Sequence, residues 1–462
     1  MKKSSTNTPL LLTLLFITSV TPSSLIANQS IPKAWNFEVC MANNNNLYRY
    51  GVLNYKQMVK AGSTPSLNIL LQMDEYGEKK CSRLFIEQNN PIIMQTQTEP
   101  PVSISGTPEN LYEFAEWTSS YPAQNNLLLL WNHGAGIKDP NIWGKLLAKG
   151  RDELYIINPK TKLLDLNRML AKEKNWEALI KTMQEKGISF NDVAETYLTN
   201  QDLKNSLERI SNVLLGGKKI EILAMDACNM AMVEIGSQIK SAVNIMVASE
   251  EVEPGFGYNY FSILSPFNTQ TLSPIELAKH IVNCYKNEYK NTFGDFTQSA
   301  IDLSLIDDLE KNISKLASFL IGLIEKGGPA AGKILRDIRF DNILTTEFLD
   351  PDYIDLYHLF KSLSLRSELY ALSSPQPKTS SIWLDIKTAT SEGIALLDKM
   401  IIASAAGPNL PNAYGLSIYF PTTSIHSSYY KTVFAQSTEW PRFLEKFLRA
   451  KKGEPKEPKT RA

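Results

Sequence analysis

Histidine and cysteine are scarce: 462 residues hold four of each, so any imidazole or thiol chemistry rests on few positions. Four cysteines are too few for a disulfide-built scaffold. Neither sign of charge is in excess, with 48 Lys and Arg against 48 Asp and Glu, which removes the usual reason to expect nucleic acid or an anionic membrane as the main partner. Past residue 30 no run approaches the roughly 20 apolar residues that span a bilayer, so no membrane span is expected in the mature protein. There is no internal repeat. What is present is ordinary for a globular chain, 43% apolar and 21% charged, and long enough for one large domain with additions or for two.

The N-terminus has its own pattern. Lys2 and Lys3 precede the apolar run Leu10 to Val20, and small residues follow up to Ala27, which reads as a secretory signal peptide over residues 1–27. The expected location is therefore secreted or periplasmic. In an oxidising compartment spare thiols can pair. If Cys228 is a nucleophile, then Cys40, Cys81 and Cys284 leave at least one unpaired, and a Cys40–Cys81 pair is an option that sequence does not decide.

From residue 35, short aliphatic runs alternate with amphipathic stretches of helical period, the pattern of an α/β fold with a parallel sheet wound by helices. Strands are expected at Asn36 to Met41, Leu67 to Met73, Leu127 to Trp131, Lys219 to Met225 and Asn244 to Ala248. Thr199 to Asp202 reads as a capping box before a helix with Leu203, Leu207, Ile210 and Leu214 on one face. Residues 137–187 break the rhythm and read as a surface insertion. Beyond 300 the expected elements are a strand at Gln298 to Leu305, helices at Asp308 to Glu325 and Tyr353 to Leu372, a strand at Ser381 to Ile386, a helix at Glu392 to Ala406 and a strand at Tyr414 to Phe420. These form either a second domain, residues 301–448, or a continuation of the first sheet. A disordered tail is expected over 449–462.

Two of the expected strands end in reactive groups. Leu127 to Trp131 runs into Asn132-His133-Gly134-Ala135-Gly136, and Ile220 to Met225 runs into Asp226-Ala227-Cys228. Ligands of open parallel sheets bind beyond the carboxyl ends of strands, so both groups belong to the functional edge. Met230 to Ile239 is amphipathic, and a thiol placed between a strand end and a helix N-terminus is biased towards thiolate. Such a thiolate attacks a carbonyl while an imidazole returns the proton to the departing amine. Gly134, lacking Cβ, lets its N–H approach the substrate, and with the N–H of Cys228 it is a candidate oxyanion hole contributing about 3 to 4 kcal/mol per donor.

The chain resembles the clostripain-like cysteine peptidases, relatives of caspases, legumains and gingipains. The resemblance is carried by Asn132 to Gly136, by Met225-Asp226-Ala227-Cys228-Asn229-Met230 and by Ala248-Ser249-Glu250-Glu251-Val252-Glu253-Pro254-Gly255-Phe256-Gly257-Tyr258. Supporting matches are Gln298 to Ser304, Tyr353 to Tyr357 and Tyr414 to Pro421, so that it spans about residues 35 to 447. It implies a caspase-like α/β/α sandwich, with a peptidase core at 34–300 around a mostly parallel central sheet and an α+β extension at the C-terminal end. It also implies His133 and Cys228 as a catalytic dyad, Asp226 as the carboxylate that selects Arg or Lys at P1, and Ser249 and Glu250 on the opposite wall of that pocket. Protein or peptide substrates with a basic P1 residue are the implied partners. Some relatives need calcium, which the resemblance leaves open here; no EF-hand loop is present, and no metal ligand is assigned. His280, His358 and His426 read as structural.

Two departures from the family pattern stand out. Asn43 to Asn46 occupy positions where acidic residues are common, and His133 and Cys228 stand 95 positions apart. Gly187 to Asp192 resembles what ordinarily follows the His block, which places the extra length in 137–187. That segment is expected to cover the site or to be cut by the protein itself, with Lys149, Arg151 and Lys160 as basic cut points. The leading expectation is a secreted cysteine endopeptidase acting through an acyl-enzyme. The rivals are a catalytically silent binding protein on the same scaffold, or a ligase or amidase using the same dyad.

Overall fold

The computed structural model describes residues 31–97, 104–138, 155–167, 188–373 and 377–452. The chain divides into Met1–Ile31 and Pro32–Ala462, and the second unit carries the fold. The expected signal peptide, most of the 137–187 insertion with Lys149 and Arg151, and the end of the tail lie outside the described residues. The helix Trp440–Lys452 takes in the first four residues of the expected tail.

The main sheet comprises nine strands in the order β9-β8-β7-β6-β5-β1-β2-β3-β4. In chain order these are β1 (Lys33–Met41), β2 (Leu67–Asp74), β3 (Cys81–Glu87), β4 (Asn90–Gln97), β5 (Ala123–Trp131), β6 (Ile220–Asp226), β7 (Val243–Ala248), β8 (Thr297–Asp302) and β9 (Ile401–Ala406). The five central strands, β7-β6-β5-β1-β2, are parallel. An antiparallel pair closes each side, β3-β4 beyond β2 and β8-β9 beyond β7. The five strands expected between Asn36 and Ala248 are all present. Because β9 pairs with β8, residues beyond 300 complete the first sheet.

Apolar side chains alternate to both faces, as a sheet covered on two sides requires. Leu128 and Leu130 of β5 join one core with α2 (Pro108–Ser119), α3 (Asn200–Arg209) and α4 (Val233–Ile239). Leu127, Leu129 and Trp131 join the other with α1 (Tyr48–Ala61) and α5 (Pro274–Tyr289). The expected capping box is formed: Thr199 Oγ1 accepts from Asp202 N at 3.1 Å and the Asp202 carboxylate accepts from Thr199 N at 3.1 Å.

Three expectations beyond 300 are corrected. Ser381 to Ile386 lies inside a helix, Pro377–Met400, whose buried Ile382, Trp383, Ile386, Ala389 and Thr390 follow a helical period that six residues alone do not reveal. The helix expected to reach Ala406 stops at Met400, where edge strand β9 begins. Tyr353–Asp355 is a strand paired with Ser417–Tyr419, and the helix starts at Leu356.

Burial leaves one titratable group in α4 with a measurable consequence. Glu234 is fully buried; its Oε1 accepts from Tyr419 N at 2.9 Å and its Oε2 has no partner. Desolvation pushes its carboxyl up to about 8. The folded state therefore keeps a proton that the unfolded chain loses near pH 4.3, so stability is full below that pH and falls as pH rises towards 8. Chemical denaturation of wild type at pH 5 and pH 8 should show this loss. In Glu234→Gln the loss should be smaller by on the order of 3 kcal/mol, and an equal loss in both proteins would contradict the reading.

Candidate active site

Register brings the two reactive positions together. Trp131, the last residue of β5, lies opposite Asp226, the last of β6, and His133 and Cys228 each stand two residues further along adjacent parallel chains. The extensions stay in contact: Asn132 N donates to Asp226 O at 3.3 Å, and a Cβ on Gly134 would lie 2.2 Å from Cys228 O. Only glycine fits there. His133, Cys228 and Asp226 line one crevice, walled by Leu47, Glu253, Pro254, Gly255 and Gly257. The crevice is narrow, ≈ 20 Å³, room for about one water. Cys228 is 4% exposed and His133 1%.

Burial sets the resting charges. It pushes the Cys228 thiol up to about 12, with Glu253 and Glu251 adding to the rise, and pushes the His133 imidazole down to about 3. In this closed form both groups are neutral. Two backbone N–H groups oppose the rise at sulfur, those of Gly134 and of Glu253, the latter at 3.3 Å. They supply the positive field that a helix N-terminus was expected to give. The helix after Cys228 starts only at Val233, because Asn229 takes a left-handed turn (φ 58°) and donates to Glu250 O at 2.9 Å. No hydrogen bond joins the sulfur to the imidazole: His133 Nε2 pairs with Asn46 Oδ1 at 2.8 Å, and Nδ1 is buried without a partner.

The His133 loop is held along its length. Tyr353 Oη donates to Ala135 O at 2.6 Å, Asn200 to Gly136 O at 3.1 Å and Ser428 Oγ to Ile137 O at 2.7 Å. At its end the buried Lys138 ammonium sits 2.8 Å from Asp350 and 2.8 Å from Asp352. Three of the loop's carbonyls and its terminal cation are therefore satisfied by side chains from other elements.

Asp226 accepts from Tyr258 N at 3.1 Å and from Tyr260 Oη at 2.8 Å. A second carboxyl meets it. Burial and the Asp226 charge push Glu253 well above the usual carboxylate range, and Glu253 hydrogen-bonds Asp226 while accepting from Gln298 at 3.2 Å. Burial raises the Asp226 carboxyl as well, but Glu253 is raised further, so a proton on the pair favours Glu253. Gly257 (φ 60°) closes over them; a Cβ there would lie 2.4 Å from Asp226 Oδ1.

Ser249 and Glu250 do not reach the crevice. Ser249 Oγ bonds Glu251 O and Thr297 Oγ1, each at 2.9 Å, and the buried Glu250 faces Asp355, whose charge, with burial, pushes its carboxyl well above the usual carboxylate range. The turn places residue 253, not 250, on the pocket wall. Glu253 was legible only as part of the acidic motif, and Asn46 had no signal beyond its position after β1. The other asparagines of that run tie loops: Asn43 Oδ1 accepts from Asp74 N at 2.9 Å, and Asn45 donates to Phe190 O at 2.8 Å.

Cys40 and Cys81 cannot pair. They stand on β1 and β3 with β2 between, so their Cα atoms are roughly 10 Å apart, beyond the ~7 Å limit of a disulfide. None of the four cysteines is bridged. Among the described residues no three His, Cys, Asp or Glu side chains converge on a metal position. His280, His358 and His426 bond Ser262 O, Thr346 Oγ1 and Ser428 Oγ respectively.

The model of the clostripain family of peptidases matches residues 39–156 and 173–447. The chain belongs to the clostripain family. As a clostripain-family protein it is a cysteine-type peptidase. Solved structures agree on the fold. A secreted C11 cysteine protease from Bacteroides thetaiotaomicron, bound to an irreversible peptide inhibitor, superposes with TM-score 0.56 at 16% identity, covering 89% of this chain and 99% of that one. An inactive zymogen C11 protease from Parabacteroides distasonis gives TM-score 0.54 at 14% identity over 88% and 99% of the two chains. No curated protein matches the sequence.

Proposed function

We propose that this clostripain-family peptidase hydrolyses peptide bonds after Arg or Lys, with Cys228 as nucleophile and His133 as the group that moves protons. The observation carrying this reading is the equal two-residue extension of β5 and β6, which puts imidazole and sulfur in one crevice beside the Asp226 carboxylate. As the crevice opens to a substrate, water and the incoming cation relieve the desolvation that holds both groups neutral. The thiol proton then passes to His133, and the thiolate adds to the scissile carbonyl. The N–H of Gly134, with that of Cys228, receives the oxyanion. Imidazolium returns the proton to the leaving amine; the same imidazole later takes one from the water that opens the thioester. Asp226, its charge kept single by protonated Glu253, would pair one guanidinium or ammonium.

Peptides identical except at P1 test the specificity. Arg and Lys substrates should be cleaved and neutral ones poorly, and Asp226→Asn should lower kcat/KM for the basic substrates by about 100-fold or more. An unchanged basic-to-neutral ratio in Asp226→Asn would remove Asp226 from the reading.

The proposal includes export through residues 1–27 and maturation by self-cleavage within 137–187. Lys160 lies exposed between the paired strands Tyr155–Ile157 and Leu164–Leu166. The narrow crevice fits a precursor that opens when cut. It would equally suit a silent scaffold, which the P1 panel distinguishes by showing no hydrolysis at all.

A further inference from the structure

Away from the crevice, towards the amino ends of β1, β5 and β6, a cavity of ≈ 190 Å³ lies between the sheet, α2 and the turn after α3. It is comparable to the ~150 Å³ cavities that take one benzene ring. Its lining mixes polar side chains, Asn36, Glu38 and Thr118, with apolar ones, Leu128, Ile210 and Leu214, and Glu38 and Leu128 are neighbours in register on β1 and β5. The chain winds as a wide π-turn over Ile210–Leu214, a form that recurs at functional positions.

Glu38 is 6% exposed, and among the described residues lining the cavity none is Lys, Arg or His. Thr118 and Asn36 hydrogen-bond its carboxyl and favour the ion, though each also serves the backbone, Thr118 at Ala115 O (3.0 Å) and Asn36 at Tyr121 O (2.8 Å). An ionised Glu38 would have these polar neighbours but no counter-charge among the described lining residues, beside empty space large enough for one. We propose that this cavity binds a small primary ammonium ion on a short aliphatic chain, with Glu38 as its counter-charge and the apolar lining residues Leu128, Ile210 and Leu214 as the seat of its methylenes. Burial, outweighing the Thr118 and Asn36 hydrogen bonds that oppose it, pushes the Glu38 carboxyl up to about 8, so at neutral pH it is mostly protonated in the empty protein. The ammonium therefore displaces a proton: the O–H bond of Glu38 breaks, the proton leaves to buffer, and the carboxylate pairs with the cation.

The full-length chain carrying Cys228→Ala, which keeps it uncut, is titrated at pH 7 with n-butylammonium, with butan-1-ol as the neutral isostere. Calorimetry in two buffers of different ionisation enthalpy should show saturable binding of butylammonium with release of close to one proton. Butan-1-ol should bind at least about tenfold more weakly. Glu38→Gln, nearly the same shape, should abolish the proton release and lower butylammonium affinity at least about tenfold. If Glu38→Gln does not fold, Ala123→Leu at the cavity rim should weaken both ligands by obstruction. No saturable binding, equal binding of alcohol and amine, or proton release that persists in Glu38→Gln would each overturn the proposal.

Discussion

Cys228→Ala should lower hydrolysis of a basic-P1 peptide by roughly five orders of magnitude or more, because without the nucleophile the remaining groups act on water alone. His133→Ala should fall almost as far, and the double variant no further, since the two act as one unit in the proposed reaction. Gly134→Ala tests a separate part of the geometry. The added methyl would sit 2.2 Å from Cys228 O and 3.1 Å from Cys228 N, so the two loops must separate, displacing the Gly134 N–H from the sulfur. Losing one oxyanion donor costs about 10²- to 10³-fold in kcat, and the parting of thiol from imidazole adds to that. The expected signature is a loss in kcat with KM little changed, while thermal unfolding shows the sheet intact. A Gly134→Ala enzyme with normal kcat would mean that the oxyanion lies elsewhere.

Lys138→Met should be the most destabilising change in the loop that carries His133. Lys138 and Asp350 are 7% and 2% exposed, and the ammonium binds both Asp350 oxygens and Asp352 Oδ2 at 2.8 to 2.9 Å. The two aspartates hold the ammonium firmly protonated, overcoming the desolvation that would lower it. Removing the cation leaves two carboxylates facing each other in a buried space, which costs about 3 to 5 kcal/mol. Lys138→Met combined with Asp350→Asn and Asp352→Asn removes the repelling charges and should recover most of that loss. The triple variant also separates stability from positioning, because the anchor of the His133 loop remains absent. Its kcat should stay low while its denaturation midpoint returns. Recovery of both would make the cluster a matter of stability alone.

The parallel centre of the sheet was legible because its strands are short, mostly apolar runs, and the chemistry was legible because His133 and Cys228 follow closely on two of them. Other features were hidden for physical reasons. Strand β3 and the edge strand β4 contain polar residues such as Ser82 and Arg83, so they do not stand out as buried runs. Ser381 to Ile386 offered six residues, too short a window to separate a strand from one face of a helix. Glu253 stands in a run of three acids, and only the backbone path after β7 decides which of Glu250, Glu251 and Glu253 reaches Asp226. Glu251 serves the fold instead, accepting from Leu349 N at 2.9 Å. Asn46 lies 87 positions before His133, and the pairing depends on β1 lying beside β5.

The account stands on one thiol being the nucleophile at a site that prefers a basic side chain. A peptidyl chloromethyl ketone with Arg at P1, followed by mass spectrometry of the digested protein, addresses both parts at once. The predicted result is a single adduct on Cys228, formed far faster than with an Asp P1 analogue and slowed in Asp226→Asn. Modification of Cys40, Cys81 or Cys284 with Cys228 untouched, or complete alkylation of Cys228 that leaves hydrolysis undiminished, would contradict it.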